Sequence, residues 1–351
     1  MKRSTLFKMG IALLIVPQYG LVMLAKQNPN WVEAVYSNTV YPIVCEMQQV
    51  LFGSVSFSVG DVLYLMASIL FCVWTFSIIR HFKRKFKTAW IDVLVLLSVV
   101  HFLFYCIWGL NYYRIPLYEK LHYDTTYSEE ALACTLEQLI VKVNTLHLQL
   151  VSQEDEKVGS PYGKKELVQK VASEFYFDQD ARIIQPVLKM SLWSLPLTYM
   201  GYAGYVNPFT LEAQANKLLP ELSLVTTSAH EMAHQLGYAP ESEANFIAFL
   251  SCIQHSDPYI QFAGYTFALR YCYSDLYRSN PERATALAAC LHSGIVKNFN
   301  EMSSFWKRYE NPLEPLFKSS YDAYLKANGQ KAGIKSYNGM VGLVVHHSLL
   351  D

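Results

Sequence analysis

Hydrophobic positions along the chain follow two regimes. Between Met9 and Leu110 they form three near-continuous runs, and from about residue 127 they recur at helical spacing among charged residues. The cleanest run, Val62–Ile79, holds eighteen residues without a formal charge. At ~1.5 Å rise per residue that just spans the ~30 Å hydrocarbon core of a bilayer. Ile91–Leu110 is interrupted only by Asp92 and His101, and Met9–Ala25 follows a basic start of Lys2, Arg3 and Lys8. The residues before Lys26 read Val-Met-Leu-Ala, a poor small-x-small cleavage site, so an uncleaved anchor is expected rather than a signal peptide. The pattern predicts a membrane domain over 1–115 with transmembrane helices at about 9–25, 62–79 and 91–110.

The remaining stretch, 116–351, fits one globular domain. Leu132, Leu136, Leu139, Ile140 and Val143, interspersed with Glu129, Glu130 and Glu137, predict an amphipathic helix over 127–152, and 164–176 reads similarly. The polar stretch 151–163 reads as an exposed loop. Gly201–Asn207 alternates glycine and tyrosine and stops at Pro208, which suggests a short strand or hairpin. From Glu221 onward the pattern is mostly helical, so the fold class is mainly α with a small β element.

Composition agrees with a chain part embedded and part soluble: 52% of residues are hydrophobic and the mean hydropathy is +0.13. Formal net charge is zero, so no nucleic-acid partner is expected. Arg80, Lys83, Arg84, Lys85 and Lys87 cluster between the second and third apolar runs, whereas 26–60 holds only Lys26. Basic loops stay on the cytoplasmic side. The expected topology has the N-terminus inside, the first loop outside, the basic loop inside and everything after about residue 111 outside. Trp108, Tyr112, Tyr113 and Tyr118 crowd the end of the third run, where aromatic rings favour the headgroup level or pack against the soluble domain. The seven cysteines include no CxxC pair, which argues against a zinc ribbon. Free buried thiols are expected, with one disulfide among Cys134, Cys252, Cys272 and Cys290 as the alternative.

Residues 230–234 read His-Glu-Met-Ala-His. On a helix, positions i and i+4 share a face, so His230 and His234 can reach one Zn2+ ion. Glu231 stands beside the first histidine as a general base for the attacking water. Gly237 is a natural helix end, Pro240 a natural helix start, and Glu241-Ser-Glu-Ala-Asn245 follows. The chain thus turns back as a helical hairpin that carries carboxylates to the histidine pair. Two histidines and one carboxylate make a standard catalytic zinc set. A simple antiparallel hairpin centred near Tyr238 puts Glu243 opposite His234, so Glu241 and Glu243 both stand as candidate third ligands.

This arrangement resembles the gluzincin class of metallopeptidases, in which the third ligand is the glutamate of a Glu-x-x-Ala-Asp/Asn pattern on the following helix. The resemblance implies a zincin-like fold, Glu241 as the ligand, and Asn245 as the residue that holds a ligand histidine through its ring N–H. Over nearly its full length the chain also resembles a bacterial family of unknown function with three N-terminal spans and a downstream His-Glu-x-x-His domain. That likeness lies in Trp108–Arg114 (Trp-Gly-Leu-Asn-Tyr-Tyr-Arg), Tyr205–Thr210 (Tyr-Val-Asn-Pro-Phe-Thr), Ala229–Gly237 and Glu241–Asn245. It implies a zinc peptidase and supplies no substrate; with the topology expected from the basic residues, the chain is expected to be an integral protein of the bacterial cytoplasmic membrane with its catalytic domain extracytoplasmic.

Other residues carry weaker signals. Gly201–Asn207 lies upstream of the motif, where an edge strand in zincin-like folds pairs with an extended substrate. Tyr202, Tyr205, Tyr238, His255 and Tyr265 are candidate substrate or oxyanion contacts, and His346-His347 is best read as a surface pair. The partners expected are a peptide or protein substrate and the lipid bilayer. Two alternatives to a peptidase remain: a zinc amidase acting on cell-wall peptides, and a silent zincin-fold membrane scaffold. The intact Glu231 argues against the scaffold. An intramembrane protease is rejected, because Glu221, Ser223, Thr226, Thr227, Ser228 and Gln235 flank the motif and no apolar run encloses it.

Overall fold

A computed structural model describes residues 3–124, 126–177 and 185–348. The side chains of Lys83, Arg84, Lys85 and Lys87, and Lys2 altogether, lie outside the described residues, so the basic cluster is placed here by sequence alone. The chain is mainly helical with one three-stranded sheet. It divides into two compact units, one comprising 1–115 together with Asn207–Glu212, the other 116–206 and 213–351.

Three helices of the first unit are long and apolar enough to cross a membrane: Arg3–Lys26, Val59–Arg80 and Thr88–Ile107. The first is broken at Leu14 into Arg3–Leu13 and Ile15–Lys26. The third continues an upstream polar turn, so that the whole helix runs Phe82–Ile107. It ends three residues before the sequence expectation, where Gly109–Tyr113 tightens into a 3-10 turn. Trp108 and Tyr113 are buried within this unit, so packing claims them, whereas Tyr118 is partly exposed in the second unit. A polar seam joins the first and third helices. Lys8 pairs with Asp92, the Ser98 hydroxyl donates to the Ile11 carbonyl at 2.8 Å, and Gln18 meets both Ser98 and His101.

The first loop is not a loop. Helical segments fill Pro29–Gly53, two of them widened turns at Val32–Val40 and Gln49–Gly53. A buried bidentate pair locks this stretch, with Arg114 donating to the Glu33 carboxylate at 2.9 and 2.7 Å. Glu212 caps the second long helix by accepting from the Val59 and Gly60 amides at 3.0 and 2.6 Å, and the Thr210 hydroxyl donates to the same carboxylate. Carboxylates suit a helix N-terminus because its first amides have no intrahelical partner.

In the second unit the helices Glu129–Leu150, Glu221–Gln235, Glu241–Gln254, Pro258–Ser279 and Met340–Ser348 surround one core. Leu132, Leu136, Leu139, Ile140 and Val143 are all buried there, at the spacing the sequence reading used. Ser128 caps the first of these helices, and Asp257 caps the fourth by accepting from Tyr259 and Ile260. Strands β1 (Leu188–Met190), β2 (Gly204–Val206) and β3 (Ala213–Ala215) form a sheet of order β1-β3-β2, with β3 parallel to β1 and antiparallel to β2. β2, an edge strand, falls inside the expected hairpin. All seven cysteines are free, with Cys45, Cys252 and Cys272 buried and the other four exposed, so the alternative disulfide does not form.

Candidate metal centre

The helix Glu221–Gln235 carries the histidine motif and stops because Gly237 adopts φ 88°. Its end is a Schellman turn: the Tyr238 amide donates to Ala233 O at 3.2 Å and the Gly237 amide to His234 O at 2.8 Å. Pro240 then starts the helix Glu241–Gln254. The first amide of that helix, on Glu241, donates to Gln330 Oε1 at 3.1 Å. The turn is short enough to set Glu241 against both histidines. Among the described residues, His230, His234 and Glu241 form a cluster of ligand atoms all within 4.8 Å of one another, and all three residues are buried.

Glu241, not Glu243, faces the histidines. Successive helical residues turn by about 100°, so positions two apart point to nearly opposite faces. Glu243 accordingly turns away and accepts from the Leu117 amide at 2.9 Å. Asn245 lies one turn beyond Glu241, on the same face, and its Oδ1 accepts from His230 Nδ1 at 2.8 Å. His234 Nδ1 donates to the Tyr238 carbonyl at 2.7 Å. A backbone carbonyl can only accept, so it fixes the proton of neutral His234 on Nδ1 and frees Nε2.

Three potential ligand atoms therefore converge. His230 Nε2 lies 3.1 Å from Glu241 Oε2, and His234 Nε2 lies 3.3 Å from it. Burial disfavours charge on His230 and its pKa is lowered. Burial opposes charge on His234 as well, but the Glu241 carboxylate outweighs it and lifts His234 to about 9. Burial likewise opposes the Glu241 charge, yet the two histidines hold this carboxyl well below the usual range. The Glu241 carboxylate is thus the group that favours positive charge in this pocket. Two imidazoles and one carboxylate, each steadied by a further hydrogen bond, match the donor set of a zinc site.

Glu231 is buried beside the cluster. Its Oε2 makes no hydrogen bond among the described residues, and burial pushes its pKa up to about 8. Strand β2 runs against it. A Cβ added at Gly204 would lie 2.7 Å from Glu231 Oε1, 2.8 Å from its Cγ and 2.6 Å from Gln214 O, so only glycine permits this approach.

The sequence reading missed a wall of residues from the C-terminal third. The Tyr321 hydroxyl donates to Glu241 Oε1 at 2.6 Å and lies 3.3 Å from the Tyr337 hydroxyl. The Tyr337 ring is parallel to the His230 imidazole, with centroids 6.0 Å apart. Asn245 Nδ2 donates to the Tyr337 carbonyl at 3.4 Å. With 25 tyrosines in the chain, and these two 87 and 103 residues beyond His234, no spacing signal marked them.

The weaker candidates fall in varied places. The Tyr202 ring packs edge-on against Tyr321, and its hydroxyl donates to Phe317 O at 3.4 Å. Tyr205 lies on β2 opposite Gln214. The Tyr238 ring is buried against Phe177, and its part in the centre is its carbonyl. The His255 imidazole is committed to the helix junction, bonding Lys170 O and the Asp257 amide. The Tyr265 ring packs against Phe249 in the core. His346 and His347 are bound to Thr126 and Tyr123.

No curated protein and no solved structure matches this chain. One family does, described as a protein of unknown function (DUF3810), and its match runs over residues 36–345. That span takes in two of the three long apolar helices, the sheet and the whole His230–Glu241 centre, so the chain belongs to the DUF3810 family.

Proposed function

We propose that this protein is a membrane-anchored, zinc-dependent metallopeptidase. The observation that carries the reading is the convergence of His230 Nε2, His234 Nε2 and Glu241 Oε2 beside a buried Glu231 whose Oε2 has no hydrogen-bond partner among the described residues. These three atoms would hold the ion, which when bound supplies Lewis acidity for both water and a peptide carbonyl. Glu231 takes the proton of the attacking water and returns it to the departing amine. Burial raises this carboxyl's pKa, and a cation held by the three ligand atoms would favour the ionised form that a base needs. Asn245 and the Tyr238 carbonyl keep both imidazoles in the tautomer that offers Nε2. Tyr321 keeps Glu241 turned toward them. Strand β2, the end strand of the sheet among the described residues and seated against Glu231 through Gly204, supports an extended substrate pairing by main-chain hydrogen bonds.

The basic residues between the second and third apolar helices support a cytoplasmic N-terminus and an extracytoplasmic second unit in the bacterial cytoplasmic membrane. The activity is tested by incubating the full chain, purified in detergent, with an unfolded protein such as casein, and reading new amino termini. Wild type releases them. Glu231→Gln, with zinc content equal to wild type, does not. Equal cleavage by both proteins would overturn Glu231 as the base, and no cleavage by a zinc-loaded wild type would overturn the peptidase reading.

A further inference from the structure

We propose that the second unit carries a membrane-contact face of its own, formed by the helix Ser194–Met200 and the start of the helix Glu314–Ala327, which sits in the headgroup region of the bilayer. Exposed large apolar side chains are scattered over most of this unit, but five gather here. Leu192, Leu195, Tyr199, Leu313 and Leu316 are 48–62% exposed. Pro196, Pro312 and Pro315 are exposed among them. The two segments are joined, since Asn311 Nδ2 donates to the Tyr199 carbonyl at 2.7 Å and the Tyr199 and Tyr309 rings pack edge-on at 5.3 Å. Contiguous exposed apolar surface of this kind marks an interaction site.

Three observations select the bilayer as occupant. First, Met190–Leu211 holds no charged residue across twenty-two positions, and its Trp193 and Tyr199 stand next to or between the exposed leucines in sequence. Rings with an apolar body and a polar tip favour the membrane interface. Second, the same uncharged run passes into Asn207–Glu212, which packs in the membrane unit. There Glu212 caps the apolar helix Val59–Arg80, and Phe209 O accepts from Gln48 at 3.1 Å. Only six residues separate Met200 from Asn207. Third, the exposed Lys307 and Arg308 close the helix Ser293–Lys307 just before Leu313, where they suit anionic headgroups. A short apolar helix with aromatic and basic neighbours is the composition of an interfacial anchor.

The test uses the full chain reconstituted in vesicles of phosphatidylethanolamine and phosphatidylglycerol. A photoreactive benzophenone amino acid replaces Leu195, Leu316, Val141 or Tyr277 in turn. All four positions are exposed, and the last two lie on other helices of the same unit. After irradiation, intact-mass analysis should find lipid adducts at 195 and 316 and none at 141 and 277. Absence of lipid adducts at 195 and 316, or equal yields at all four positions, overturns the proposal. A covalent dimer formed through 195 or 316 without lipid adducts assigns the face to a second copy and also overturns it. The metal centre is untouched in all four variants, so this result stands apart from the peptidase reading.

Discussion

Replacing Tyr321 by phenylalanine removes one hydroxyl and leaves the ring in place. That hydroxyl donates to Glu241 Oε1 at 2.6 Å, while Oε2 of the same carboxylate faces the two histidines. A hydrogen bond to a charged group is worth about 1.5–3 kcal/mol. At ~1.4 kcal/mol per factor of ten, its loss weakens zinc binding by about ten- to hundredfold. The same range is measured when a group supporting a metal ligand is lost. The Tyr337 hydroxyl, 3.3 Å from that of Tyr321, can partly replace it. The single variant should therefore fall near the tenfold end, and Tyr321→Phe with Tyr337→Phe toward the hundredfold end. The assay is competition for zinc against a chelator of known affinity, with the full chain in detergent. Affinity unchanged from wild type in both variants would refute the claim that the C-terminal wall holds Glu241 in its liganding posture.

Further outcomes follow from the same contacts. Gly204→Ala places a methyl group 2.6 Å from a backbone carbonyl and 2.7 Å from Glu231 Oε1. Overpacking of this kind costs about 1–3 kcal/mol, so the variant should keep its zinc and lose most peptidase activity, read as zinc content against turnover. Glu33→Gln takes the negative charge out of the buried bidentate pair with Arg114 and should destabilise the first unit by up to about 3–5 kcal/mol, read as a fall in the thermal unfolding midpoint in detergent. Asp257→Ala removes a helix cap worth about 0.5–2 kcal/mol. Burial opposes the Asp257 charge, but hydrogen bonds from Tyr162 and the Tyr259 and Ile260 amides hold its pKa below the ordinary 3.8. A depressed native pKa gives stability that is present above the unfolded value and lost as pH falls through the native one. The gap in unfolding midpoint between wild type and Asp257→Ala should therefore be constant near neutrality and close below about pH 4.

What the sequence made legible was local. Apolar runs long enough to cross a bilayer, and histidines four apart on a helix, are read from neighbouring positions, and both stand in the structure. The turn at Gly237 was legible for the same reason. Choosing between Glu241 and Glu243 needed the phase of the new helix, which the turn sets. A hairpin drawn flat favoured Glu243, but the helical rotation sends it to Leu117. Pro29–Gly53 escaped because its widened turns break the 3.6 period and its stability comes from Arg114, about eighty residues away. Tyr321, Tyr337 and Gln330 escaped because tertiary folding, not spacing, brings them to the two helices of the candidate centre.

The central claim is that His230, His234 and Glu241 hold zinc, and elemental analysis of four purified full-length proteins tests it most directly. Wild type and Glu243→Ala should each carry one zinc per chain, while His230→Ala and Glu241→Ala should carry none. Zinc retained in Glu241→Ala but lost in Glu243→Ala, or no zinc in metal-replete wild type, would contradict it.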